Sequence, residues 1–221
     1  MNIKRYIATI ILAIVLLLNF SCTDWLDVKP VDRMSEDQLY STEAGFRQAL
    51  NGIYVELNHA DLYGDELLVN TVEILAQRYK FSSMGTLTNQ YHLAEFDYTT
   101  DYAKKCGSRI WEKAYALIAN VNKLLKNADS HKDLFTGDSY DLITGEAYAL
   151  RAFLHFDLLR LFGPVYKTHK EDKSICYNTQ FSLSGSDLLP ASKVMEYVIA
   201  DLKEAEDRLA KDPIIEEGPL L

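Results

Sequence analysis

Apolar residues recur at helical spacing along most of this chain. Phe46, Leu50, Ile53 and Leu57 fall three or four residues apart, which lines them up on one face of an α-helix. Ser41 or Thr42 just before them can act as N-cap. Upstream, Ser35-Glu36-Asp37-Gln38 has the Ser-x-x-Gln pattern of a capping box and predicts a first short helix. Gly45 and Gly52 lower the propensity of the longer helix by about 1 kcal/mol each relative to Ala. Tertiary packing must compensate, and a small residue lets another helix approach closely. Asp65 to Lys80 predicts a second helix with Leu68, Val72, Leu75 and Tyr79 on one face.

Two later segments carry more. Ile110, Ala114, Leu117, Val121 and Leu124 form one stripe, and Trp111, Tyr115, Ile118 and Leu125 form another beside it. Two adjacent stripes fit a helix packed between neighbours, over Ile110 to Lys126. Asp141 to Phe162 repeats the pattern, with Ile143, Ala147, Leu150, Leu154, Leu158 and Leu161 on one face and Ala149, Phe153 and Phe156 on a second. Gly163-Pro164 ends it, since Gly suits the left-handed position past a helix and Pro cannot continue one. A last helix runs from Ala191 to Ala210, with Val194, Val198, Leu202, Ala205 and Leu209 in line before Asp212-Pro213. Successive long helices with few strand signals predict an all-α domain. Helices buried on two faces suit a tetratricopeptide-like stack, although no clean 34-residue period is present.

The helical period fails twice. Lys167 to Leu189 reads as a polar loop. Phe81 to Lys105 mixes Ser, Thr, Gly and Asn with Tyr91, His92, Phe96, Tyr98 and Tyr102. A long irregular stretch inside a compact domain is usually functional or disordered, and this one has too many aromatic residues for disorder. It predicts an ordered loop with a short hairpin, and it is where a ligand is to be sought. Tyr79, Tyr91, His92 and Tyr98 are the candidate binding rings, because a flat ring packs against the C–H face of a sugar. Arg78, Asn89 and Gln90 could hydrogen-bond hydroxyls nearby. The competing reading is that these rings only pin the loop to the helices.

The N-terminus has a different pattern. Lys4 and Arg5 precede an apolar run from Ile7 to Leu18, relieved only by Thr9, and Ser21 stands before Cys22. Positive head, apolar middle and small residue at the cut are the parts of a secretory signal peptide. A helix of about a dozen residues at ~1.5 Å each falls short of a ~30 Å hydrocarbon core. Cys22 at the cut resembles the lipobox of bacterial lipoproteins, with Asn19 and Phe20 in place of the usual Leu and small residue. On that reading residues 1–21 are a lipoprotein signal peptide, Cys22 is the lipidated mature N-terminus, 22–33 form a tether, and 34–221 form the helical domain; the competing reading is an ordinary signal peptide with an incidental Cys.

Charge narrows the partners. The formal net charge of -9 becomes -11 once Lys4 and Arg5 leave. No basic stripe is present, which argues against nucleic acid, and an acidic surface argues against anionic lipid heads. Membrane attachment would come from acyl chains. Cys106 and Cys176 remain beside Cys22. A bridge between them is permitted in an exported protein, but two distant cysteines make no disulfide framework.

Catalytic signals are missing. The five histidines show no metal-ligand spacing, and neither a His-Glu-x-x-His helix nor a Cys-x-x-Cys pair occurs. There is no Gly-rich phosphate loop and no Gly-x-Ser-x-Gly elbow. No pair of carboxylates stands out for glycoside hydrolysis. The reading is a non-enzyme with no catalytic residues, no metal and no cofactor. Glu146 and Arg151 sit in a helix whose apolar faces are both used, so they are expected to pair structurally.

Several segments in order carry a resemblance. Cys22-Thr23-Asp24-Trp25-Leu26-Asp27-Val28-Lys29-Pro30 follows the signal. Ala49-Leu50-Asn51-Gly52-Ile53-Tyr54 and Trp111…Tyr115…Ile118…Asn120…Asn122-Lys123-Leu124-Leu125 come next. Gly145-Glu146-Ala147-Tyr148-Ala149-Leu150-Arg151-Ala152-Phe153 then leads to Leu161-Phe162-Gly163-Pro164-Val165, and Asp201-Leu202…Ala205…Leu209 closes the series. This order resembles the SusD/RagB family of outer-membrane nutrient-binding lipoproteins from Bacteroidetes. The resemblance implies a tetratricopeptide-like scaffold, a lipid anchor at the outer membrane facing outward, and a SusC-like TonB-dependent transporter as partner. It also implies a captured oligosaccharide or peptide and no enzymatic activity. Family chains run several hundred residues, so 34–221 corresponds to their N-terminal portion, and a truncated stack should expose apolar surface at its end. A scaffolding lipoprotein whose helices bind another envelope protein is the alternative from a different class. A glycan-processing hydrolase is a distant third.

Overall fold

The computed structural model describes residues 35–81, 85, 87–181 and 186–212. The signal peptide, Cys22 and its tether, and the apolar tail over 214–221 lie outside the described residues. From Glu36 onward the described residues belong to one compact unit.

Eight α-helices occur among the described residues: α1 (Glu36–Leu39), α2 (Glu43–Leu57), α3 (Thr71–Leu75), α4 (Thr88–Ala94), α5 (Asp101–Ser130), α6 (Ser139–Phe162), α7 (Tyr166–His169) and α8 (Ala191–Leu209). A 3-10 turn, Lys132–Leu134, links α5 to α6. No strand occurs among the described residues, and Lys173 and Pro190 form an isolated antiparallel bridge.

One capping signal acts as read. The Thr42 side chain accepts the amide of Gly45 at 3.1 Å and starts α2. Gly45 serves a closer contact than a helix neighbour, because a Cβ there would run into the carbonyl of Leu39 at the end of α1. Gly52 faces open space, so the packing role expected of it is absent. Gly163 has φ −85° and is not a left-handed cap. Its missing Cβ instead leaves room for the Leu159 carbonyl, which accepts its amide at 2.8 Å.

The two-stripe segments form the centre. Helix α6 packs most extensively on α8 and also on α5, while α2 lies against α5 and α6. Phe46, Leu62, Ile118, Val121, Leu124, Ile143, Leu154 and Leu158 are buried together there. Each such side chain contributes roughly 1.5–3 kcal/mol of transfer free energy. Gly145 on α6 permits the α8 approach, since a Cβ would meet Leu209 Cγ at 2.9 Å and Arg208 Cβ at 3.0 Å.

Two expectations fail. The helix predicted over Asp65 to Lys80 is reduced to α3, with turns before it, and Leu68 and Tyr79 are exposed. Hydrogen bonds such as Val72 N to Glu66 O and Leu67 N to Leu62 O wind this segment more irregularly than an α-helix. Phe81 to Lys105 is less irregular than predicted. It contains α4 and the first turns of α5, and no hairpin occurs among its described residues.

A buried polar clamp crosses the core. The Arg151 guanidinium grips Asp201 through two bonds of 2.7 Å and donates to Asn122 Oδ1 at 3.0 Å. A bidentate, fully paired arrangement is what a buried charge requires. Glu146 accepts the Tyr54 hydroxyl at 2.7 Å. Both residues therefore pair structurally, as read. Around the clamp, residues 174–178 are tied down. Tyr115 donates its hydroxyl to the Cys176 carbonyl at 2.8 Å, Asn122 donates to the Asn178 carbonyl at 2.8 Å, and the Tyr177 hydroxyl bonds Asp201. His155 stacks on Tyr177 with ring centroids 3.9 Å apart. It accepts the Asn178 amide at Nε2, so Nδ1 carries the proton toward the Arg151 carbonyl. Burial pushes the His155 imidazole down to about 4, because the charged form loses its hydration. Cys106 and Cys176 are both free thiols.

Candidate functional site

The aromatic segment singled out in the sequence folds into a tight turn between α4 and α5. Phe96, a bulky residue, has φ +59°. This left-handed conformation costs a non-glycine residue about 1–2 kcal/mol. Gln77 adopts φ +59° as well, and its side-chain amide donates to the Ala94 carbonyl at 2.5 Å, at the end of α4. The two left-handed residues thus belong to one linked arrangement. Asp97 fastens the turn by accepting the amide of Thr99 at 3.0 Å and its hydroxyl at 2.6 Å. Those bonds hold its carboxyl below the usual carboxylate range. Thr100 then accepts the Ala103 amide at 3.3 Å and caps α5. The product is a multiply bonded turn that directs two rings outward: Phe96 is 52% exposed and Tyr98 57%, with centroids 6.5 Å apart. Strain of this kind persists where the surroundings over-determine it, often at ligand sites.

Behind Tyr98 lies a cleft of about 590 Å³, within the usual range for small-molecule sites. Leu75 comes from α3, Leu93 from α4, Ile110 and Trp111 from α5, and Phe162 from the end of α6. Trp111 meets Phe162 edge-on at 5.1 Å. Lys104, Ser108 and Glu112 also line the cleft. They are four residues apart on α5 and so form one ridge. The lower wall is braced by Glu66, which is buried, pairs with Arg109 at 2.5 Å and accepts the Thr71 hydroxyl at 2.5 Å. Burial pushes the Tyr102 hydroxyl up to about 12, helped by the neighbouring Cys106. Among the described residues no cluster of His, Cys, Asp or Glu could hold a metal.

The sequence-derived candidates are distributed around this turn. Tyr98 lines the cleft. His92 and Tyr91 sit on α4, edge-on at 5.7 Å, and His92 Nδ1 is 3.6 Å from Asp97. Asn89 is exposed on the same helix. Arg78 pairs with Glu73 at 3.7 Å. Tyr79 is exposed, donates its hydroxyl to the Val69 carbonyl at 3.2 Å and meets Phe81 edge-on at 6.0 Å. Gln90 also lies on α4, and of the seven only Tyr98 lines the cleft. Phe96, Trp111 and Phe162 were missed as candidates. Trp111 and Phe162 read as helix-stripe or helix-end residues, and nothing in the local sequence announces a left-handed Phe.

Comparison with known proteins gives the same scaffold. Residues 24–215 match the SusD-like family model described as starch-binding and associating with the outer membrane. The SusD-like protein P2 of Formosa agariphila is 27% identical over 208 residues, covering 93% of this chain and 38% of that protein. A SusD-like carbohydrate binding protein from Bacteroides vulgatus superposes with a TM-score of 0.64 at 21% identity, covering 77% of this chain and 36% of the other. A SusD superfamily protein from Bacteroides thetaiotaomicron gives 0.61 at 21% identity over 76% and 37%. The chain therefore spans well under half the length of the proteins it matches, while a family pattern runs along nearly all of its own length. With that match laid over the all-α packing of α2, α5, α6 and α8, the chain belongs to the SusD-like family.

Proposed function

We propose that this chain serves, without catalysis, in capturing a nutrient oligosaccharide at the outer membrane, with a peptide as the less favoured cargo. The observation that carries this reading is the aromatic turn: Phe96 and Tyr98 project from a strained, multiply bonded loop, and Tyr98 lines a cleft. A loop held in one conformation loses little entropy on binding. Exposed rings offer flat faces for sugar C–H groups, and Arg78, Asn89 and His92 on neighbouring elements offer polar partners for hydroxyls. The family description and the carbohydrate-binding relative from Bacteroides vulgatus support the ligand class.

In this proposal residues 1–21 are removed, Cys22 is lipidated, residues 22–33 tether the domain from 34 onward, and the protein faces outward. The bound sugar is delivered to a SusC-like TonB-dependent transporter. Calorimetric titration of the full chain with a panel of oligosaccharides and peptides tests the capture step. Binding without turnover that weakens at least tenfold in Phe96→Ala and Tyr98→Ala supports it. Affinity indifferent to both substitutions, or release of product sugars, refutes it. Co-purification of a TonB-dependent barrel with the lipidated protein tests delivery.

A further inference from the structure

The cleft behind the turn is built for something other than hydroxyl groups. Its walls are aliphatic and aromatic side chains from four helices, Leu75, Leu93, Ile110, Trp111, Leu161 and Phe162. The polar ridge of Lys104, Ser108 and Glu112 lies along a single helix. Thr71, also at the cleft, already spends its hydroxyl on Glu66. A hexose buried here would find side-chain partners on that ridge and at Tyr98, and its hydroxyls facing the apolar walls would lose their hydrogen bonds, which is costly. An apolar group placed here gains roughly fourfold in affinity for each methylene buried.

Gly107 points to the same conclusion. It lies inside the 30-residue helix α5, where glycine is unfavourable. A Cβ at this position would meet nothing closer than Phe162 Cε1, at 3.7 Å. No close backbone approach demands a glycine. What its missing side chain does is keep this side of the cleft open.

We infer that the cleft is a subsite for an apolar substituent on the captured glycan, an alkyl or aryl aglycone or an ester-linked acyl group. The sugar itself rests on Phe96 and Tyr98 beside the mouth. This inference rests on the glycan-capture reading of the turn. A peptide fits the cleft less well. Each of its residues carries an amide donor and a carbonyl acceptor, whereas the α5 wall has its backbone groups already paired within the helix.

The test compares methyl β-glucoside, octyl β-glucoside below its micelle concentration, maltoheptaose and a leucine tripeptide on the full chain. Calorimetry is the first readout. Tryptophan emission in a Trp25→Phe background is the second, because the Trp111 ring is part of the wall. The octyl glucoside is expected to bind at least tenfold more tightly than the methyl glucoside and to shift the emission. Gly107→Leu fills the gap and should abolish that difference, with helical content kept and maltoheptaose binding unchanged. Gly107→Ala, which meets only ordinary contact, gives a smaller loss of the same sign and carries the test if the Leu variant fails to fold. Equal affinity for the two glucosides overturns the inference, as does an octyl preference that survives Gly107→Leu. A tripeptide that outbinds octyl glucoside and is lost in Gly107→Leu overturns it in favour of a peptide. Failure of the capture reading looks different: maltoheptaose does not bind, or binds with no dependence on Phe96 and Tyr98.

Discussion

The clamp around Arg151 and the turn around Phe96 are both multiply hydrogen-bonded, yet they treat their chemistry in opposite ways. In the clamp every charge is buried and paired: Arg151 holds Asp201 at two points, and His155 stays neutral between the Arg151 carbonyl and the Asn178 amide. In the turn the bonds are made by backbone, Asp97 and Gln77, and the large rings are left facing outward. One region spends its polar groups to hold α5, α6, α8 and the 174–178 segment together. The other spends backbone strain to present a surface. Substitutions should therefore cost stability in the first region and binding in the second.

The largest effect is expected at Arg151. Arg151→Ala leaves Asp201 buried and uncompensated, which should cost about 3–5 kcal/mol in denaturant unfolding. A loss below about 1 kcal/mol would mean the clamp is not a stabilising centre. Acid comes next. The folded-state value of His155 lies near 4, below the ordinary 6.5, so the unfolded chain binds more protons between those two values. Stability should fall as pH drops through that window, by on the order of 3 kcal/mol in full. His155→Gln should flatten that part of the stability curve, and an unchanged slope would remove His155 as its source. Tyr115→Phe leaves the Cys176 carbonyl without its partner and should cost about 1–2 kcal/mol, with proteolysis rising in the 174–178 segment. The smallest stability effect should come from the turn. Phe96→Gly relieves the left-handed strain and should leave the melting temperature unchanged or raised, a gain of up to about 1 kcal/mol. The same change should weaken oligosaccharide binding at least tenfold, and a large loss of stability instead would erase the contrast between the regions.

The two regions also differ in how far the sequence exposes them. The clamp's helices show in the double stripes around Leu117 and Leu154, and a charge such as Arg151 between two used faces already calls for a buried partner. That Asp201 supplies it, fifty residues on, shows only after α6 and α8 pack. The segment that forms the turn stands out in the sequence, because the helical period fails there while aromatic residues accumulate. Its working parts were not identified. Nothing in the sequence marks Phe96, because left-handed backbone is normally signalled by Gly or Asn. The helix expected over Asp65 to Lys80 failed because spacing alone cannot register the turns wound around Glu66 and Thr71.

By itself the sequence determined an all-α stack, with the central stretches of its long helices and the Thr42 cap, because these depend on near neighbours: a 3.6-residue period, a Thr hydroxyl three residues before an amide, a Gly-Pro stop. Tertiary structure alone decided the cleft. Trp111 and Phe162 stand fifty-one residues apart and meet edge-on only because α5 and α6 fold into a hairpin. The opening at Gly107 exists only relative to what surrounds it, and the left-handed backbone of Phe96 persists only because its surroundings hold it. A local pattern records which face of a helix is apolar, but a cavity is a property of the space between elements.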